Sequence, residues 1–328
     1  MKTFGIPAFE RAETLPPPPP SVHDFAPERV LRREQPASER GWRRIVHRVS
    51  GGKIAPQPSQ AELEHRELLA AVRTPIAGCR RIAVLSRKGG IGKTTTTLML
   101  GHTFASNRGD RVVALDANPD AGSLAYRVRR TTDATVTQLL EASESIQRYS
   151  DIRAFASQAP SRLEVIGSDN DATISVAVGE QEYRRVVHTL EHHYNLILMD
   201  TGTGILDSAT QGVLRMCDQI VVCAATGLDA SRASSFTLDW LDEHGYDSLV
   251  RDAVVVVNQV RRQGHVSVEA ISEHFAKRCR AVVEVPWDPR LADGGETTLE
   301  ELRPATRAAY LQAAAALAKW FVFPSRQP

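Results

Sequence analysis

Residues 86–97 read SRKGGIGKTTTT, a run in which glycines precede a lysine and four threonines. Glycines let a backbone curl until its N–H groups point inward, and a helix that starts there adds the positive end of its dipole. That combination holds phosphate. Gly89, Gly90, Ile91 and Gly92 would supply the amides, Lys93 would reach the β- and γ-phosphates, and Thr94 would offer its hydroxyl to Mg²⁺. Thr95 would bond the α-phosphate. The usual GxxxxGK[ST] pattern is incompletely met, because Arg87 stands at its first position. Lys88 is a second lysine, five residues ahead of Lys93, which a phosphate loop does not require.

A phosphate loop works only between a strand and a helix, so the surrounding chain must supply them. From about residue 78 short Val/Ile/Leu-rich runs alternate with helical stretches, at 81–86, 111–117, 163–168, 195–200, 219–225, 253–259 and 281–286. Near-continuous apolar strands are those buried on both faces. The predicted fold is therefore α/β, a doubly wound and mostly parallel sheet of the P-loop NTPase type, with ligands at the carboxyl ends of the strands. An Ala-rich helix from about 297 to 321 closes it, and its last residues, KWFVFP, suit core packing or a tail that touches a membrane.

The chain has 328 residues, 42% hydrophobic and 24% charged, with a formal net charge of +1, so any polyanion affinity must come from a local patch. Four scattered cysteines without a CxxC favour reduced thiols. His192 and His193 are adjacent, but with no acid or cysteine read at ligand spacing they do not suggest zinc. No apolar run reaches about 18 residues, and the first twenty lack a secretory core, which predicts a cytoplasmic protein. Residues 1–40, with five successive prolines, read as a disordered arm. Residues 41–77 read as a basic helical extension, and 78–323 as the nucleotide-binding domain. Within the extension Trp42, Ile45, Val46 and Val49 share one face of a short helix over 41–53, while residues 29–53 hold eight Lys/Arg against two acids. That helix fits packing on its own domain, or docking to the inner face of a membrane, a partner or DNA. A second helix is predicted over 61–72.

KGGIGKTT resembles the deviant phosphate loop of the ParA/MinD family of ATPases. The resemblance covers roughly residues 78–320, with VVALDANPDAGSL matching the second strand and switch I, and NLILMDTGTGI the acidic strand and switch II. It implies ATP and Mg²⁺ as ligands and an ATP-dependent homodimer in which Lys88 crosses to the partner's nucleotide, as an arginine finger does. It further implies that Asp200 holds Mg²⁺ through water, that Thr201, Gly202, Thr203 and Gly204 sense the γ-phosphate, and that Asn258 and Pro286 contact the base. Relatives read Asp-x-Asp-Pro after the second strand, whereas Asn118 stands at the second acidic position here. An amide orients water but takes no proton, so the departure bears on the rate of hydrolysis, with Asp116 and Asp120 as nearby substitutes.

The loop, the DTGTG switch and the basic segment together resemble more closely an actinobacterial MinD-like branch that includes the EspI-type ATPases of type VII (ESX) secretion. Three functions stay open at this point. One is a regulatory or assembly ATPase for secretion or another membrane-associated process. The second is a partition ATPase binding DNA through basic clusters at 260–265 and 277–280. The third is a slow or non-hydrolysing nucleotide-gated scaffold.

Overall fold

The computed structural model describes residues 58–119, 122–169, 178–260 and 267–325. The proline-rich arm, the basic helix at 41–53, Asp120 and the cluster at 261–265 lie outside them. The chain divides into two units, Met1–Leu63 and Glu64–Pro328, and the second carries the sheet.

The strands are β1 (Arg80–Leu85), β2 (Val112–Ala117), β3 (Ser157–Gln158), β4 (Glu164–Ile166), β5 (Leu196–Thr201), β6 (Gln219–Ala225), β7 (Val254–Asn258) and β8 (Ala281–Val285). They form one sheet in the order β3-β4-β2-β5-β1-β6-β7-β8. Every pairing is parallel except that of β3 with β4. Seven strands fall where the apolar runs predicted them. The two-residue edge strand β3 was not foreseen, because so short a piece has no periodicity of its own.

Alternate residues of each strand enter opposite cores. Ile82 and Val84 of β1 join one apolar cluster, and Ala83 and Leu85 the other. That is why the runs are continuous rather than alternating. On one side, α1 (Gln60–Val72), α2 (Lys93–Asn107) and α11 (Pro304–Ala318) contribute Val72, Phe104 and Tyr310 to the apolar layer. On the other, α5 (Glu180–Glu191), α6 (Ser208–Met216) and α7 (Leu228–Glu243) contribute Tyr183, Val213 and Leu238. Shorter helices connect them: α3 (Val136–Ala142), α4 (Tyr149–Arg153), α8 (Asp247–Arg251), α9 (Val268–Ala276) and α10 (Pro289–Ala292). The helix predicted over 61–72 is α1.

The closing helix starts later than expected, at Pro304. Arg303 before it is extended (ψ 148°), as the residue preceding a proline must be, and Pro304 takes the first helical position. Its tail is split in role. Phe321 is fully buried and its carbonyl accepts from buried Arg80 Nη2 at 3.1 Å, while Val322 and Phe323 are exposed. Among the described residues no helix is long and apolar enough to cross a membrane. The four cysteines are free, Cys217 and Cys223 both inside the core.

Helix α2 is buried on most of its surface, which brings the phosphate loop's own helix into the centre of the domain. Its midpoint Gly101 is there for closeness. A Cβ at Gly101 would lie 2.8 and 2.9 Å from both methyls of Leu163 and 3.3 Å from Leu198. Both leucines are fully buried, and because both branches of Leu163 are involved, a rotamer change gives no relief. Helix propensity alone would make Gly101→Ala stabilising by about 1 kcal/mol. Overpacking reverses the sign, and urea denaturation of Gly101→Ala is expected to show a net loss of about 1–2 kcal/mol.

Candidate functional site

The loops leaving β1, β2, β5, β7 and β8 all emerge at the carboxyl edge of the sheet, and the residues singled out from sequence gather there. After β1 the chain turns at Gly90 (φ 74°) and Gly92 (φ 88°), a left-handed backbone that glycine adopts without cost. Gly92 is the residue before α2, so the loop's amides precede the helix's free N–H groups. Asn258, at the end of β7, holds this turn: its Nδ2 donates to Ile91 O at 2.9 Å and to Thr96 Oγ1 at 3.2 Å. A Cβ at Gly92 would meet that Nδ2 at 2.9 Å. The amide is thus already engaged with the loop backbone while it borders the pocket where a base was expected.

The first turn of α2 converges on one carboxylate. Lys93 Nζ is 2.9 Å from Asp200 Oδ1, Thr94 Oγ1 donates to Oδ2 at 2.6 Å, and Thr97 Oγ1 donates to Oδ1 at 3.2 Å. Lys93 also donates to the carbonyl of Thr201. Both charged partners are buried, so in a low-dielectric setting the removal of either would leave the other uncompensated. Thr201 Oγ1 donates to Val84 O at 3.0 Å, which joins the start of the 201–204 segment to β1. Thr203 and Gly204 follow as the chain swings out, and the tightness there is specific: a Cβ at Gly204 would lie 2.0 Å from Asp207 Oδ2.

Asp116 and Asp200 are direct partners in the register of β2 and β5. Asp116 is fully buried, and its carboxylate accepts from Leu124 N at 3.0 Å and Asn118 N at 3.2 Å. Burial lifts its pKa to about 7, with the nearby Asp200 charge adding to the rise. Gly122 closes over it, since a Cβ at Gly122 would stand 2.0 Å from Asp116 Oδ1. Asn118 is half-buried and faces the 201–204 segment: a Cβ on Gly202 would lie 3.0 Å from its Oδ1.

Lys88 does not join Lys93. Its Nζ lies 3.9 Å from Asp229 Oδ2 at the start of α7, with the lysine side chain 44% exposed. Ser86 holds the loop behind it, accepting from Lys88 N at 3.1 Å and donating to Lys88 O at 2.9 Å. A pocket of about 230 Å³ opens beside the loop, lined by Gly90, Thr95, Asn258, Pro286, Trp287 and Arg127.

Arg127 was missed by sequence reasoning. It lies in a 3₁₀ turn, Leu124–Arg127, whose Leu124 is pinned by Asp116, and its Nη1 donates to Thr95 Oγ1 at 2.9 Å. Desolvation lowers its pKa, and Asp200 opposes the shift from a distance. The signal was weak, one arginine among Arg127, Arg129 and Arg130 in a segment without periodicity. Thr97 was missed as well, though it follows one helical turn behind Lys93.

Known proteins share this fold. The AAA_31 family model, an AAA domain, matches residues 79–234. A ParA family ATPase from Chlorobium tepidum superposes with a TM-score of 0.57 at 15% identity, covering 75% of this chain and 99% of that one. MinD from Pyrococcus horikoshii, solved with Mg-ADP, gives a TM-score of 0.56 at 17% identity over 72% of this chain and 94% of its own. The ESX-1 secretion-associated protein EspI of Mycobacterium tuberculosis is 37% identical over 287 residues, 87% of this chain. The chain has the fold of the ParA and MinD ATPases and is related to EspI. It spans 43% of the length of that curated relative.

In this ParA/MinD-like chain the basic residues at 277–280 are largely committed. Arg278 pairs with Asp239 at 2.6 Å and Asp242 at 2.7 Å, and Arg280 pairs with Asp252 at 2.5 Å and stacks on Trp320 at 3.6 Å. The buried aspartate yields a test. Because Asp116 keeps its proton to higher pH when folded than when unfolded, the folded state binds more protons between about pH 4 and pH 7, and its contribution to stability is lost as pH rises through that window. Urea midpoints of the nucleotide-free protein are expected to show Asp116→Asn gaining on the wild type as pH goes from 5 to 8. Equal pH slopes for the two would contradict the shifted pKa.

Proposed function

We propose that the protein is an ATP-dependent dimerisation switch with slow ATPase activity, serving a type VII secretion or membrane-associated process. The observation that carries this reading is the division of labour between two lysines. Lys93 is buried and turned onto Asp200, whereas Lys88, on the same loop, is half-exposed and directed outward to Asp229. A lysine so placed is available to a nucleotide held by a second copy of the chain. Leu228, beside Asp229, and Leu206, in the segment after β5, are exposed apolar side chains at the same carboxyl edge. They suit a face covered when two copies meet.

The residues present fit Mg²⁺ and ATP. Thr94 and Asp200 place a hydroxyl and a carboxylate oxygen 2.6 Å apart, a hard oxygen pair suited to Mg²⁺ directly and through water. The ion, when bound, would neutralise charge on the phosphates. Lys93 would then exchange its contact with Asp200 for the β- and γ-phosphates. Gly89, Gly90, Ile91 and Gly92 would present amides, with Pro286 and Asn258 at the base. Thr201, Gly202, Thr203 and Gly204 would carry the phosphate's presence to α6. Asn118, beside Gly202, would orient the attacking water without taking its proton, and Asp116, its pKa raised by burial and enclosed by Gly122, would support the switch from behind.

The EspI relationship favours a secretion role over DNA partitioning, and the paired arginines at 278 and 280 favour it too. Molar mass by light scattering is expected to double when ATP and Mg²⁺ are added, and Lys88→Ala is expected to stay monomeric while still binding nucleotide. An unchanged mass in the wild type would defeat the switch. Phosphate release from the same samples separates a cycling ATPase from a gated scaffold.

Arg127 belongs to the same reading. A half-buried guanidinium whose hydrogen bond is to Thr95, the expected α-phosphate ligand, is suited to an anion there. Arg127→Ala is expected to weaken binding of a fluorescent ATP analogue by about ten-fold or more, the loss of one charge-assisted hydrogen bond. Unchanged affinity would remove Arg127 from the site.

A further inference from the structure

Helix α5 carries the sequence HTLEHH at residues 188–193. The adjacent histidines suggested no metal when read along the chain. Helical spacing corrects this, because positions i, i+3 and i+4 share a face, so His188, Glu191 and His192 meet while His193 does not join them. One ligand atom from each of the three lies within 4.8 Å of the others. We propose that His188, Glu191 and His192 form a surface site for a divalent transition-metal ion, remote in sequence and chemistry from the Thr94–Asp200 pair.

The donors are already arranged. His192 Nδ1 is 2.6 Å from His188 O, and a carbonyl only accepts, so Nδ1 carries the proton and Nε2 is left with its lone pair. The two imidazoles sit with centroids 4.7 Å apart and planes at 88°. Glu191 Oε1 lies 2.8 Å from His188 Nδ1, so the two atoms can take one ion between them in place of the proton they share. The other oxygen of Glu191 is 3.6 Å from Arg81 Nη1. Arg81 is itself clamped to buried Asp218 by contacts of 3.1 Å from both Nε and Nη2. The carboxylate is therefore held in place by a fixed element rather than left to swing.

The charges around the cluster have been neutralised in part. Arg81 is balanced by Asp218, and Arg185 faces Glu144 at 3.9 Å, which leaves Arg184 along the adjoining pocket. Two imidazole nitrogens and one carboxylate oxygen, with room for water at a fourth position, suit Zn²⁺ and its neighbours. Mg²⁺ and Ca²⁺ prefer all-oxygen sites, so they are poor competitors here.

The test is isothermal titration of Zn²⁺ into the full chain in buffer with millimolar Mg²⁺, which occupies hard oxygen sites. One equivalent is expected for the wild type, and its loss in H188A/H192A. Both histidines are exposed, so the double variant should keep its far-UV circular dichroism and its thermal transition without metal. Glu191→Gln is expected to weaken Zn²⁺ by about ten-fold or more. Zn²⁺ should also raise the melting temperature of the wild type alone, since the ion ties one helical turn to the next. No uptake by the wild type, an equivalent retained by the double variant, or unaltered affinity in Glu191→Gln would overturn the assignment.

Discussion

One carboxylate organises the centre of this protein. Asp200 ends β5, its strand neighbour β2 brings Asp116 level with it, and the first turn of α2 delivers Lys93, Thr94 and Thr97 onto its oxygens. A buried anion is tolerable only where cations and hydroxyls converge on it. That requirement sets where α2 must begin and how closely it must lie on the sheet. Gly101, the glycines of the loop and the brace from Asn258 all serve the same closeness.

The contacts made by Lys93 and Thr94 with Asp200 satisfy all three groups, and under the proposed function the same three groups would engage a metal–nucleotide complex. Asp116 sits deeper, sealed by Gly122 and by the backbone of Leu124, and the 3₁₀ turn that it anchors carries Arg127 to the pocket mouth. A buried carboxyl of raised proton affinity and a half-buried guanidinium are thereby linked through one short turn. On the outer side Lys88 and Asp229 meet loosely in solvent, a pair worth little by itself and easily exchanged.

Much of the fold was legible because parallel strands buried on both faces leave continuous apolar runs, and seven of the eight strands have one. The edge strand β3, two residues long, has none, and the start of α11 was misplaced because an Ala-rich pattern extends beyond the turn at which Pro304 begins the helix. Around the site, the loop residues 89–95, Asp200 and the 201–204 segment stand at strand ends that the runs themselves mark. Arg127, Thr97 and the grouping of His188 with Glu191 do not announce themselves. Their significance comes from neighbours that lie 32, 103 and 3 residues away.

By itself the sequence determined the P-loop fold class and most of the strand-by-strand architecture, since both depend on local patterns: glycine-permitted turns, a lysine and threonines at a helix start, and apolar runs of strand length. Tertiary structure decided which charges are free. It committed the arginines at 278 and 280 to acids, turned Lys88 away from its own phosphate loop, and raised the proton affinity of Asp116. Desolvation and pairing between distant segments are set by packing, and no single stretch of the chain contains them.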